Sequence, residues 1–472
     1  MPKQRIAVIG GGMTGLSAAF YLQKKIKEDN LDAEFVLYEA KDKLGGRIET
    51  DYTDGFIIEQ GPDSFLARKT SMTKLARELG MEDELIDNKS GSFILHNNKL
   101  YPMPEGAVMG IPTQWMPFIK TGLFSPAGKA RAAMDLVIPR TAEGDDDQSL
   151  GRFFRKRLGN EVVDHLIEPL LSGIYAGDID RLSLKATFPQ FRQIEAKYRS
   201  LIVGMKTSMA KRQSASPSSN EPEKKPSGMF LTFKSGLQSL VDRMEEHLDN
   251  ENVQKGKALT EIKNEDERCR LIFSDGTEDT VDKVILTTPH QHAYELFNGH
   301  GFMKPLGDMP STSVATIALA YPKKAVKKDI DGTGFVVSKK SDYTITACTW
   351  THKKWEHAAP EDYALLRVYV GKAGDDAIVD QPDETILAKV KEDINHIMDI
   401  EGEPHFYRIK RWKESMPQYE VGHVEKLHYV KTKLAEHYPQ VTLTGASYHG
   451  IGLPDCVDQG KKAVEDILTG GN

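Results

Sequence analysis

The chain has 472 residues, more than one ordinary core can fill, so two or three domains are expected. Its net charge of −7 comes from 62 basic and 69 acidic residues that are interspersed, which excludes a nucleic-acid footprint at chain level. Three cysteines without ligand spacing exclude a disulfide framework and a cysteine metal site, and no apolar run is long enough to span a bilayer.

The first strand starts at Ile6, which leaves no room for a leader, so a reducing cytoplasm is the expected compartment. Ile6-Ala-Val-Ile9 predicts a buried strand. Gly10, Gly11, Gly12 and Gly15 follow, and a helical run opens at once with Leu16-Ser-Ala-Ala-Phe20. Gly10 permits the tight turn, Gly12 lets a pyrophosphate approach the backbone, and Gly15 lets the helix lie close on the strand. The pyrophosphate would sit at the positive end of that helix. A second strand, Phe35–Tyr38, ends in Glu39, where a ribose-binding acid belongs. A glycine turn in some other α/β protein uses the same pattern, but the full order of strand, turn, helix, strand and acid favours a dinucleotide.

Next come the loop Leu44-Gly-Gly-Arg47 and a short strand, Phe56–Ile58, that leads to Glu59-Gln-Gly-Pro62. Residues 105–205 carry helical patterns, such as 150–158 and 161–171. Within them, 108–125 mixes Trp115, Phe118 and Phe124 with prolines; it reads as an apolar lid, with peripheral contact to a membrane surface as the other reading. Residues 206–228 are rich in Ser, Pro and Lys and read as a flexible polar loop. A helix is expected over 237–248. Strands dominate 253–289, with Asp275-Gly276 as a hairpin turn. Further strands are expected at 313–320, 344–349 and 364–370, and a helix at 383–398. The 14 histidines show no ligand spacing, and His290 and His292 read as surface loop residues.

Near the end, the strand Val441–Thr444 runs into Gly445-Ala-Ser-Tyr-His-Gly-Ile-Gly452, and a final helix starts after Pro454. A helix N-terminus stabilises negative charge, and a reduced flavin carries it on its pyrimidine side. The two ends of the chain can therefore grip the two ends of one FAD; a second, unrelated strand–turn–helix packing unit fits the same residues.

The motif order resembles the flavoprotein amine-oxidase superfamily, and within it the bacterial porphyrinogen oxidases of the Gram-positive type. The stretches that carry the resemblance are Gly61-Pro-Asp-Ser-Phe-Leu66, Pro102-Met-Pro104, Gly128-Lys-Ala-Arg131 and Glu168 through Asp178. Later ones are Thr346–Thr351, Trp412 with Ser415–Tyr419, and Gly445–Ser447 with Pro454–Cys456. The implied fold is α/β: a discontinuous Rossmann-like FAD-binding domain, a mixed-sheet substrate domain and a helical subdomain. The expected boundaries are 1–65, 229–298 and 416–472 for FAD, 66–104 and 299–415 for substrate, 105–205 for the helical part and 206–228 for the loop.

The resemblance implies one non-covalent FAD per chain. Gly10, Gly11, Gly12, Met13, Thr14 and Gly15 would wrap the pyrophosphate, and Glu39 the ribose. Arg47 and Gly61, Pro62, Asp63 and Ser64 would lie along the pyrophosphate and ring. Val253 would contact adenine through its backbone, and Trp412, Ala446, Ile451, Gly452 and Leu453 would border the ring. For Val253 and Trp412 the residues alone indicate strand core and an ordinary buried aromatic. Cys456 reads as a free buried thiol.

The implied reaction is oxygen-consuming, six-electron oxidation of coproporphyrinogen III with peroxide release, in haem biosynthesis, and with hand-over to ferrochelatase. Protoporphyrinogen IX is the alternative substrate. A flavin does the redox chemistry and the protein supplies position and electrostatics, so no catalytic side chain and no metal are assigned. The substrate is apolar in the middle and anionic at its edges. Gly173, Ile174 and Tyr175 suit an apolar slot, and Arg68 and Lys69 suit the rim; core packing for Ile174 and a solvated basic turn for the cations fit equally simply. Another flavin oxidase, acting on amines or polyenes, and a non-catalytic flavin scaffold are the competing classes.

Overall fold

Ile6, Ala7, Val8 and Ile9 are almost fully buried and alternate between two cores, because successive strand residues point to opposite faces. They belong to the strand Gln4–Ile9, the middle of a five-stranded parallel sheet ordered Val253–Gln254, Ala33–Tyr38, Gln4–Ile9, Lys283–Leu286, Val441–Leu443. The computed structural model describes residues 3–141, 146–214, 228–297 and 300–469.

The chain divides into two compact units. The first comprises Met1–Asn88, Pro226–Met309 and Val424–Asn472. One face of its parallel sheet packs with the helices Met13–Glu28, Gln238–His247 and Leu453–Thr469, through residues such as Leu16, Leu240 and Val464. The other face is covered by an antiparallel sheet of Leu259–Glu265, Arg268–Phe273 and Glu278–Val281, and by the helices His290–Leu296 and His423–His437. Strands buried on both faces read as continuous apolar runs, which is why Ile6–Ile9 shows no alternation. The hairpin expected at Asp275-Gly276 is present, with Gly276 at φ +79°.

The second unit comprises Lys89–Lys225 and Pro310–His423. Its seven-stranded sheet is ordered Phe406–Pro417, Ser311–Pro322, Tyr363–Val370, Ile345–Trp350, Gly334–Val337, Ser92–His96, Lys99–Pro102. Gly334–Val337 and Ser92–His96 run parallel, and the other pairs are antiparallel. The helix Asp383–Met398 lays Ile386, Val390, Ile394 and Ile397 on that sheet, the i, i+4, i+8, i+11 stripe of an amphipathic helix. Helices between Trp115 and Ser214 complete the unit. Arg157 is fully buried among them and pairs with Asp135 and Glu195.

The α/β architecture is the expected one. Local readings change in four places. The segment 206–228 is helical through Ser214, because Leu201, Ile202 and Met205 bury one side of the helix Leu201–Ser214 and carry its polar end along; residues 215–227 lie outside the described residues. The helix expected over 161–171 contains a π-turn at Val163–Ile167. His290 is a buried helix residue, not a surface loop one: Ser447 and the Met309 carbonyl take its ring nitrogens, whereas His292 is exposed beside Glu295. Residues 66–88 group with the parallel sheet. Among the described residues no helix is long and apolar enough to cross a membrane.

Candidate functional site

In the first unit the strand Gln4–Ile9 ends at Gly10, whose φ of +104° turns the chain into the helix Met13–Glu28. A Cβ at Gly15 would lie 1.8 Å from the Gly10 carbonyl oxygen, so only glycine lets the helix seat on the turn. A Cβ at Gly12 would meet nothing nearer than Gly46 Cα at 3.9 Å, and open space of this kind is what a phosphate group needs. The main-chain N–H groups of Thr14 and Gly15, in the first turn of the helix, have no hydrogen-bond partner among the described residues. These are the orphan donors that an anion satisfies.

Two further loops close on this turn. Gly45 N–H donates to the Gly11 carbonyl at 2.8 Å, which brings Leu44–Arg47 alongside it. Glu39, buried at the end of its strand, accepts from Gly11 N–H at 2.6 Å and from Lys41 N–H at 2.9 Å. Its carboxylate is thus fixed at the strand's carboxyl end, with lone pairs remaining for a diol. Val253 pairs with Leu37 on the adjoining edge strand, and Glu39 N–H donates to the Gln254 carbonyl at 2.9 Å, so Val253 sits two residues along from the acid.

The far end of the chain reaches the same sheet. Val441–Leu443 pairs with Lys283–Leu286, which places the Gly445–Gly452 loop beside Thr287 and Thr288. Thr287 Oγ1 donates to the Ile9 carbonyl at 2.8 Å. Thr288 Oγ1 is buried and makes no hydrogen bond among the described residues. That orphaned hydroxyl, the open space at Gly12 and the orphan amides fit a polar, anionic dinucleotide. The last helix packs against the first, where a Cβ at Gly460 would lie 2.4 Å from the Thr14 carbonyl oxygen.

The loop Gly61, Pro62, Asp63 and Ser64 is half-buried, and Ser64 Oγ donates to Asp63 at 2.6 Å. Just beyond it, Arg68 is exposed and makes no hydrogen bond or ion pair among the described residues. Lys69 is paired with Asp455, at 2.5 and 2.6 Å from its two oxygens. Cys456 is buried beside it, and burial pushes its thiol up to about 11 against the pull of the Thr14 hydroxyl. His449 takes a contact of 2.7 Å from Lys431 Nζ, and burial pulls that ammonium down to about 8.

The second unit holds the remaining expected residues. Gly173 and Ile174 lie on the exposed side of the helix Glu168–Tyr175; Ile174 is 45% exposed, which removes the core-packing reading. Tyr175 turns the other way. Its ring is buried against Phe188 and Tyr419, about one helical step round from Ile174. Trp412 is half-buried on the strand Phe406–Pro417, opposite Val314, with Lys410 Nζ over its ring at 5.1 Å.

Sequence reasoning missed Thr288, Asp455 and Gln459. Asp455 lies just past the last glycine loop, and only folding brings Thr288 beside that loop, Gln459 back onto it and Lys69 onto Asp455. It also missed Glu59, buried at the end of a short strand, which accepts from Leu237 N–H at 2.6 Å and Thr50 Oγ1 at 2.8 Å.

Comparison with known proteins spans the chain. The family described as flavin containing amine oxidoreductase matches residues 13–468. A coproporphyrinogen III oxidase of Bacillus subtilis (strain 168) is 52% identical over 468 residues, which cover 99% of this chain and 98% of the relative. One from Staphylococcus aureus (strain NCTC 8325 / PS 47) is 42% identical over 470 residues, 98% of this chain and 99% of the relative. A crystal structure from Exiguobacterium sp. 255-15 superposes with a TM-score of 0.87 at 37% identity and covers 100% of both chains.

Proposed function

This chain belongs to the flavin-containing amine oxidoreductases, and from that premise we propose that it oxidises coproporphyrinogen III to coproporphyrin III with FAD as cofactor and oxygen as acceptor. The observation that carries the reading is the 52% identity to a coproporphyrinogen III oxidase, which runs through both units and not through the dinucleotide segments alone. Loss of six electrons and six protons in three two-electron steps would release three peroxides. The cytoplasm is the proposed compartment, and oxygen and a ferrochelatase are the proposed partners.

FAD supplies the two-electron acceptor. The chain's residues hold and orient it. The amides of Thr14 and Gly15 take the pyrophosphate at the helix end, and the space at Gly12 admits it. Gly10, Gly11 and Met13 shape that turn, Arg47 supplies a cation along it, and Glu39 accepts from the ribose. Val253 borders adenine. Gly61–Ser64, Ala446, Ile451, Gly452 and Leu453 border the ring. The buried, neutral thiol of Cys456 is a poor nucleophile, which favours non-covalent binding.

Substrate contacts are proposed on each unit separately. Arg68 offers an exposed cation for a propionate, and Gly173 with Ile174 offers an exposed apolar turn. Pyrrole nitrogens can release protons to water or by tautomerisation, so no protein base is required. The test is a side-by-side assay of the purified protein with coproporphyrinogen III and protoporphyrinogen IX, following porphyrin fluorescence and peroxide. Faster turnover of coproporphyrinogen is expected. Preference for protoporphyrinogen would replace the substrate, and no turnover of either by the flavin-loaded protein would sink the reading.

A further inference from the structure

Gln459 is the seventh residue of the helix Leu453–Thr469, yet its amide closes the loop that precedes the helix. Helical side chains lean toward the N-terminus, so a long one can reach back over the first turns. Its Oε1 accepts from Gly445 N–H at 3.0 Å, and its Nε2 donates to the Gly450 carbonyl at 3.0 Å. Gly445 and Gly450 have φ of +120° and +129°, a region that side chains rarely adopt. One side chain thus ties together the two positive-φ glycines of the loop. One turn earlier on the same face, Asp455 packs under it: a Cβ at Gly452 would lie 2.6 Å from Asp455 Oδ2.

We propose that Gln459 is a positioning residue that holds the Gly445–Gly452 loop in shape for the flavin ring. The inference rests on the reading that this loop borders the ring. The primary amide supplies the acceptor for Gly445 and the donor for Gly450 from two separate atoms of one planar group. Glutamate keeps the acceptor but sets an oxygen against the Gly450 carbonyl, and leucine keeps neither. The clamp matters because the N–H groups of Ile451, Gly452 and Leu453, next along the chain, have no hydrogen-bond partner among the described residues. Donors held in place stabilise negative charge without reorganising. The reduced flavin carries more of that charge than the oxidised form, so a loosened loop weakens the reduced complex more.

The experiment compares wild-type, Gln459→Leu and Gln459→Glu holoenzymes by FAD dissociation constant, flavin midpoint potential and thermal midpoint. For Gln459→Leu, affinity for oxidised FAD is expected to fall about tenfold, and that for reduced FAD about tenfold further, which is a drop in potential of about 30 mV for a two-electron couple. Gln459→Glu should move both in the same direction, and it carries the test where the leucine variant fails to fold. An unchanged potential in the folded variants, with only thermal stability lost, overturns the proposal. A wild-type protein that takes up no FAD overturns instead the reading on which it rests.

Discussion

The Lys69 ammonium lies 2.5 and 2.6 Å from the two carboxylate oxygens of Asp455, so a cation expected at the substrate rim is already paired within its own unit. The pair joins the segment after Gly61–Ser64 to the first turn of the last helix. Both side chains are about one-third exposed, at 35% and 31%, so the pair contributes roughly 0.5–1 kcal/mol after solvent screening.

Removal of Lys69 leaves the Asp455 carboxylate uncompensated beside the Gly445–Gly452 loop. Lys69→Met is expected to weaken FAD retention about threefold, and Asp455→Asn in that background to restore it. Flavin release on dilution measures both. Additive losses in the double variant would show that the pair does not act on the flavin site.

Arg68 beside it is exposed and has no partner among the described residues, so it carries the propionate role more readily. Arg68→Ala should raise KM for coproporphyrinogen III about fivefold, with flavin content unchanged, for one charge-assisted contact in partly screened surroundings. Steady-state kinetics with a constant flavin-to-protein ratio decide it; an unchanged KM removes Arg68 from the substrate.

The two glycines of the turn should fail differently. Gly12→Val places a side chain in open space, so the protein should fold and purify colourless. Gly15→Ala drives a methyl to within 1.8 Å of the Gly10 carbonyl, and should lower stability by about 1–3 kcal/mol or more through overpacking. Flavin absorbance and circular dichroism of each variant separate the effects. A yellow Gly12→Val protein would contradict the pyrophosphate role.

Burial pulls Lys431 down to about 8, below the 10.5 of an exposed lysine. The folded state then binds fewer protons than the unfolded one between those values, so stability rises with pH across that window and the cost is complete below about pH 8. Lys431→Met should raise the stability at pH 7 by about 1 kcal/mol, and the gain should vanish above about pH 10. Denaturant melts at pH 7 and pH 10 test it, and equal gains at both would refute the titration.

Much of this protein is written locally. Ile6–Ile9, the glycines at 10, 12 and 15 and the acid at Glu39 declare a strand–turn–helix–strand, because each step has its own steric demand within a few residues. The helix Asp383–Met398 and the hairpin at Asp275-Gly276 were legible for the same reason. Tyr175 was not. An aromatic suits a slot wall or a core equally, and only the helix phase turns Ile174 outward and Tyr175 against Tyr419. The polar tail of Leu201–Ser214 was read as loop because composition reports average solubility, whereas a helix needs apolar residues on one side only. Lys69–Asp455 spans 386 residues and the Gln459 clamp reaches back from a helix to a loop. A hydrogen bond depends on the positions of two atoms, and the chain's order in sequence does not specify which distant segments the parallel sheet will set side by side. The sequence by itself determined the fold class and the glycine turn between the first strand and helix, through short-range sterics. The tertiary structure alone decided which charges are paired and which face of each helix is exposed.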